Sequence, residues 1–177
     1  GALQKLAEHL QAPVITTSEG KGILSDRHYL SLGGLQIRND PFQSKLSEAD
    51  VILAVGTRLA TPQALNGQKV VQIDIDESEI GRNYTNTFGL VGDASRTIEE
   101  LIKIIFAKIP AHRSRKSEFE ALKAQRFDPK RQIEPQASFV RAIRAAMPDD
   151  GIFVAGMTQV GYYSRVSFPV YEPGTYI

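Results

Sequence analysis

Three apolar runs in this chain end in small or acidic residues. They are Val51-Ile52-Leu53-Ala54-Val55-Gly56-Thr57-Arg58, Val70-Val71-Gln72-Ile73-Asp74-Ile75-Asp76, and Leu90-Val91-Gly92-Asp93. An apolar run bounded by turn residues predicts a strand buried on both faces, as in a parallel sheet. In open α/β sheets, ligands bind at the carboxyl ends of the strands, where loops and helix N-termini converge. The runs therefore predict both a fold and the edge of it that carries function.

At 177 residues the chain has room for one large domain, or one domain and part of another. Its apolar fraction of 42% is enough for a proper core. The absence of cysteine excludes disulfides, zinc–thiolate sites and cysteine nucleophiles, which fits a cytoplasmic protein. No run approaches the roughly 20 apolar residues of a membrane helix, and no signal-peptide pattern opens the chain. No membrane partner is expected. Charge is uneven: the first 107 residues are acidic on balance and the remainder basic, through Arg113, Arg115, Lys116, Lys130 and Arg131. No nucleic-acid-binding motif accompanies these cations, so a solvated linker is the expectation, with no nucleic acid as partner.

The periodicity predicts a helix over residues 2–10, with Leu3, Leu6, Ala7 and Leu10 on one face. A strand over 12–17, a flexible Gly20-Lys21-Gly22 turn and a short strand or loop at 31–34 follow. Asp40-Pro41 reads as an N-cap and first helical residue, opening a helix that ends near Glu48. Strands over 51–56, 69–75 and 87–92 then alternate with a helical turn at 77–83 and a helix over 96–107. That alternation predicts βαβ units and a Rossmann-like parallel sheet with helices on both faces. Residues 108–136 break the pattern, with one weak helix at 117–125. A helix over 138–147 and a strand over 152–155 open a partial second α/β unit.

Candidate binding groups cluster at the strand ends. Gly56, Thr57 and Arg58 close one strand, where glycine admits a ligand to the backbone and arginine can grip phosphate; strand termination explains them equally well. Asp74 and Asp76 can accept hydrogen bonds from ribose, or cap a helix. Asp93 carries the same two readings for the helix that follows it. Gly20-Lys21-Gly22 lacks the spacing of a P-loop, and no GxGxxG fingerprint is present. His9, His28 and His112 are scattered and read as structural or solvated. No nucleophile–base pair emerges, and no catalytic residue is assigned.

Taken together, residues 2–107 resemble the central domain of thiamine diphosphate-dependent enzymes of the acetolactate synthase, pyruvate oxidase and oxalyl-CoA decarboxylase group, a Rossmann-like, DHS-like NAD/FAD-binding fold. The resemblance runs through Leu6-Ala7-Glu8, Ala12-Pro13-Val14-Ile15-Thr16-Thr17, Gly20-Lys21-Gly22, 49–58, 72–80 and Val91-Gly92-Asp93-Ala94. Residues 137–177 are similar to the start of the same family's diphosphate-binding domain, and Phe168-Pro169-Val170-Tyr171-Glu172-Pro173 looks acetolactate synthase-like. The implied organisation is a central domain at 1–107 lacking its first strand, a linker at 108–136, and an incomplete thiamine diphosphate-binding domain at 137–177.

The resemblance implies that Thr158 and Gln159 lie beside the cofactor's diphosphate, although Gly156 and Gly174 stand where an acid and an arginine are expected. It implies a nucleotide pocket of Gly56, Thr57, Arg58, Asp74, Ile75 and Asp93, holding FAD or the ADP moiety of CoA in some relatives. It further implies thiamine diphosphate and Mg in the complete enzyme, with a 2-keto acid as substrate, and C–C bond formation or decarboxylation as a transferase or lyase. The family's catalytic glutamate and GDG…N magnesium motif are not in this chain, so it is expected to be inactive alone. A sheet without its central strand leaves backbone groups open, so a homo-oligomer, a swapped segment or a rearranged sheet is expected. The alternatives are a stand-alone FAD-, NAD- or ADP-binding module and a non-catalytic scaffold.

Overall fold

The computed structural model describes residues 1–34, 41–60 and 67–177, with side chains in the helix 41–48 described from Lys45 onward. The described residues form helices α1 (Ala2–Leu10), α2 (Pro41–Glu48), α3 (Ala94–Lys108), α4 (Lys116–Arg126), α5 (Gln136–Ala146) and α6 (Gln159–Ser167), together with five strands. The strands are β1 (Val14–Thr16), β2 (Ser31–Gly34), β3 (Val51–Val55), β4 (Lys69–Asp74) and β5 (Thr87–Val91). Single 3-10 turns occupy Glu77–Glu79 and Pro129–Arg131. The proposed cap Asp40 lies outside the described residues. No helix among the described residues is long and apolar enough to cross a membrane.

The strands form two parallel sheets, β1-β2 and β3-β4-β5. No six-stranded sheet exists among the described residues. The chain correspondingly divides into two compact units. The first comprises residues 1–9 and 43–111, the second residues 10–42 and 112–177.

In the first unit the register sets Ile52 beside Val70 and Val71 beside Phe88. Ala54, Val70, Ile73 and Ile98 are buried, and α3 packs on β4. A side chain at Gly89 would overlap Ile80, which folds back over that face. His9 donates through Nε2 to Ile109 O at 2.8 Å and stacks on Phe106 at 3.9 Å, a structural role.

The second unit is built around Leu30, Leu32, Phe119, Phe168 and Val170, all essentially inaccessible. Residues 112–135 belong to this core through Phe119 and Arg126; the charge and prolines that suggest a solvated linker do not reveal those two anchors. Arg126 is buried and donates to Leu32 O, Gly34 O and Val166 O. Gly22, at φ +87°, is pressed so close that a Cβ would lie 2.7 Å from Glu172 O. Its turn is a packed element. Helix α6 is not evident from periodicity, and, among the described residues, 152–155 make a single isolated bridge, from Phe153 to Tyr176.

Candidate functional site

Strands β3, β4 and β5 end side by side. The ladder runs one residue past each end: Gly56 N–H donates to Ile73 O and Gly92 N–H to Asp74 O, both at 2.9 Å. Gly56 takes φ +56° with open space where a Cβ would stand, so backbone conformation rather than crowding favours glycine there. Thr57 Oγ1 accepts from Leu59 N–H at 3.3 Å, and Leu59 itself sits at φ +50°. A non-glycine residue in that region is uncommon and is held by its surroundings. Arg58 is exposed, and its guanidinium has no partner among the described residues.

The acids are partly engaged. Asp74 Oδ1 accepts from Asp76 N–H at 3.0 Å, leaving Oδ2 free among the described residues. Asp76 caps the 3-10 turn, accepting from Ser78 N–H at 2.9 Å and Ser78 Oγ at 2.7 Å. Those two bonds, led by the hydroxyl, hold its carboxyl below the usual range. Asp93 caps α3 through Arg96 N–H at 3.0 Å, again by Oδ1 alone. Ile75 is 78% exposed between them. The structure therefore brings Gly56, Thr57, Arg58, Asp74, Ile75 and Asp93 to one edge of the first unit.

Thr158 and Gln159 lie in the second unit, at the start of α6. Thr158 Oγ1 accepts from Gly161 N–H at 3.0 Å, and Gln159 Oε1 accepts from Gln136 Nε2 at 2.6 Å. The first-turn N–H groups of Gln159 and Val160 have no acceptor among the described residues. Such donors, with the helix dipole behind them, suit an anionic ligand such as a diphosphate. Magnesium finds less: no group of three His, Cys, Asp or Glu residues is gathered among the described residues.

Sequence reasoning did not single out two further residues of the edge. Gln72 is 2% exposed and spends its amide on the loops around the edge, and Asn83 Nδ2 donates to Arg58 O at 2.6 Å. The available signal was a polar residue inside an apolar strand.

Residues 1–101 match the family model described as the central domain of thiamine pyrophosphate enzymes. The chain belongs to the thiamine pyrophosphate enzyme family. It is 38% identical over 108 residues to a probable acetolactate synthase large subunit of Methanococcus aeolicus, covering 57% of this chain and 18% of that protein. A probable 2-ketoarginine decarboxylase of Pseudomonas aeruginosa is 29% identical over 187 residues, covering 99% of this chain and 32% of that protein. A glyoxylate carboligase of Escherichia coli O157:H7 is 33% identical over 110 residues, covering 58% of this chain and 18% of that protein. The chain thus spans a third or less of each of these relatives. The α/β architecture, with parallel strands and interleaved helices, agrees with membership of the thiamine pyrophosphate enzyme family.

Proposed function

We propose that the complete protein is a thiamine diphosphate-dependent enzyme that makes or breaks a carbon–carbon bond of a 2-keto acid. The names of the acetolactate synthase, decarboxylase and carboligase relatives support this reading. We further propose that the β3–β5 edge seats an adenine nucleotide, as FAD, ADP or the ADP end of CoA. One observation carries the second part. Three parallel strands end together in Gly56, Asp74 and Gly92-Asp93, beside an arginine with no partner among the described residues.

In this reading Arg58 meets phosphate, while Asp74 and Asp93 offer their free Oδ2 atoms to ribose hydroxyls. Ile75 presents an apolar side chain to the base. Thr158 and Gln159 sit where the α6 N–H groups would hold the thiamine diphosphate. That cofactor, when bound, supplies the nucleophilic carbon and the electron sink for the chemistry. The residues of this chain bind and orient; they move no proton of the reaction. We therefore read the chain by itself as without turnover, working in a homo-oligomer in the cytoplasm.

The experiment is calorimetry of the chain with ADP, FAD, CoA and NAD, beside an assay of pyruvate consumption with thiamine diphosphate and magnesium. Binding of an adenine nucleotide without turnover supports the reading. Pyruvate consumption by the chain alone overturns the reading that it has no turnover by itself. Failure of all four ligands favours a scaffold with a vestigial edge, a reading to which the capping duty of Asp93 lends weight.

A further inference from the structure

Gln72 is a polar side chain in the middle of β4, buried at 2% exposure. Its Nε2 donates to Thr57 O at 3.2 Å and to Glu79 O at 3.0 Å, while Oε1 accepts from Gly81 N–H at 3.0 Å. Two carbonyls facing one end of the amide and an N–H facing the other fix its orientation chemically. One side chain thus ties the loop leaving β3 to the turn leaving β4. Asn83 adds a second strap from the same turn region, donating to Arg58 O at 2.6 Å. With the Thr57 carbonyl held by Gln72, peptide planarity directs the Arg58 N–H away from Gln72. That N–H has no acceptor among the described residues.

We propose that Gln72 is the positioning residue of the ligand edge. Its amide locks the Thr57–Arg58 loop onto the Glu77–Gly81 turn, so that the loop meets a nucleotide diphosphate already folded. A loop ordered before binding loses less conformational freedom on binding. This rests on the reading of the edge as a nucleotide seat, but the lock itself can be tested without ligand.

Gln68 supplies a matched control. It precedes β4 at the opposite end, is also buried, and donates through Nε2 to Ser47 O at 2.9 Å. Calorimetry with ADP is run on the full chain and on Gln72→Leu, Gln68→Leu and Asn83→Ala. Hydrogen exchange is followed on the same proteins without ligand. The expected result is a loss of ADP affinity of about tenfold in Gln72→Leu and about threefold in Asn83→Ala. Gln68→Leu changes affinity by less than about twofold. Exchange should speed up at 57–60 and at 79–83 in Gln72→Leu and elsewhere stay as in the parent. Unchanged affinity in Gln72→Leu, or an equal loss in Gln68→Leu, overturns the proposal. If Gln72→Leu does not fold, the exposed Asn83→Ala variant decides by its own affinity loss of about threefold and by faster exchange at 57–60, and unchanged affinity and exchange overturn the proposal. If the parent chain binds none of ADP, FAD, CoA and NAD, the nucleotide reading fails. The lock is then upheld by localised exchange and overturned by uniform or absent acceleration.

Discussion

Lys21 is buried at 5% exposure in the second unit, with Nζ 3.9 Å from Asp26 Oδ2 and 5.5 Å from the centre of the Tyr176 ring. Asp26 also accepts from Ser31 Oγ at 2.7 Å and from Val170 N–H at 2.8 Å. Burial lowers the lysine from its ordinary 10.5, against the opposing pull of Asp26. The folded lysine therefore gives up its proton at a lower pH than the unfolded one. Between those two values the unfolded chain binds more protons, so Lys21 makes stability rise with pH toward 10.5. Lys123, lowered mainly by burial, adds to that rise, whereas Tyr163 and Tyr176, raised by burial, oppose it. Urea midpoints across this range should climb less steeply in Lys21→Met than in the parent. Parallel curves for the two proteins would show that Lys21 is solvated. None of this is legible in Gly20-Lys21-Gly22, which reads locally as a flexible turn, because Gly22 packs against Val170 and Glu172 and the Lys21 ammonium lies over Tyr176, all far along the chain.

Elements were more legible than residues wherever an apolar period was clean. The runs at 51–56, 69–75 and 87–92 became β3, β4 and β5, each a residue shorter at its carboxyl end, where the chain turns into the candidate site. Helix α3 extends slightly beyond the expected 96–107, because Asp93 caps it from further upstream. Replacing Asp93 with Ala should cost about 1 kcal/mol, while Asn, an equally good cap, should cost close to nothing. Chemical denaturation of the two variants checks this; equal losses in both would mean that the carboxylate charge, not the cap, matters. Helix α6 escaped because Val160-Gly161-Tyr162-Tyr163-Ser164 has no clear helical stripe. Its burial comes from packing on α5 and β2. The segment at 152–155 has a strand's alternation but among the described residues pairs with 175–177 alone.

At the scale of the molecule, the two compact units interleave along the chain. Phe119 lies at the centre of the second unit with no exposure at all. Phe119→Ala should destabilise that unit by about 3–5 kcal/mol through lost burial and the cavity left behind. Hydrogen exchange should then accelerate over 10–34 and 112–177 while 67–111 keep their protection. Equal acceleration in both regions would show that the two units unfold as one.

The sequence by itself determined the parallel strands, the candidate edge at their carboxyl ends and the family, because period and strand-end chemistry are local properties. Tertiary structure decided which polar groups are buried and what they hold: Gln72 across to Thr57 and Gly81, Lys21 against Asp26, Arg126 onto β2. Those roles depend on partners brought together only by folding, and a buried amide or ammonium has the same residue code as a solvated one.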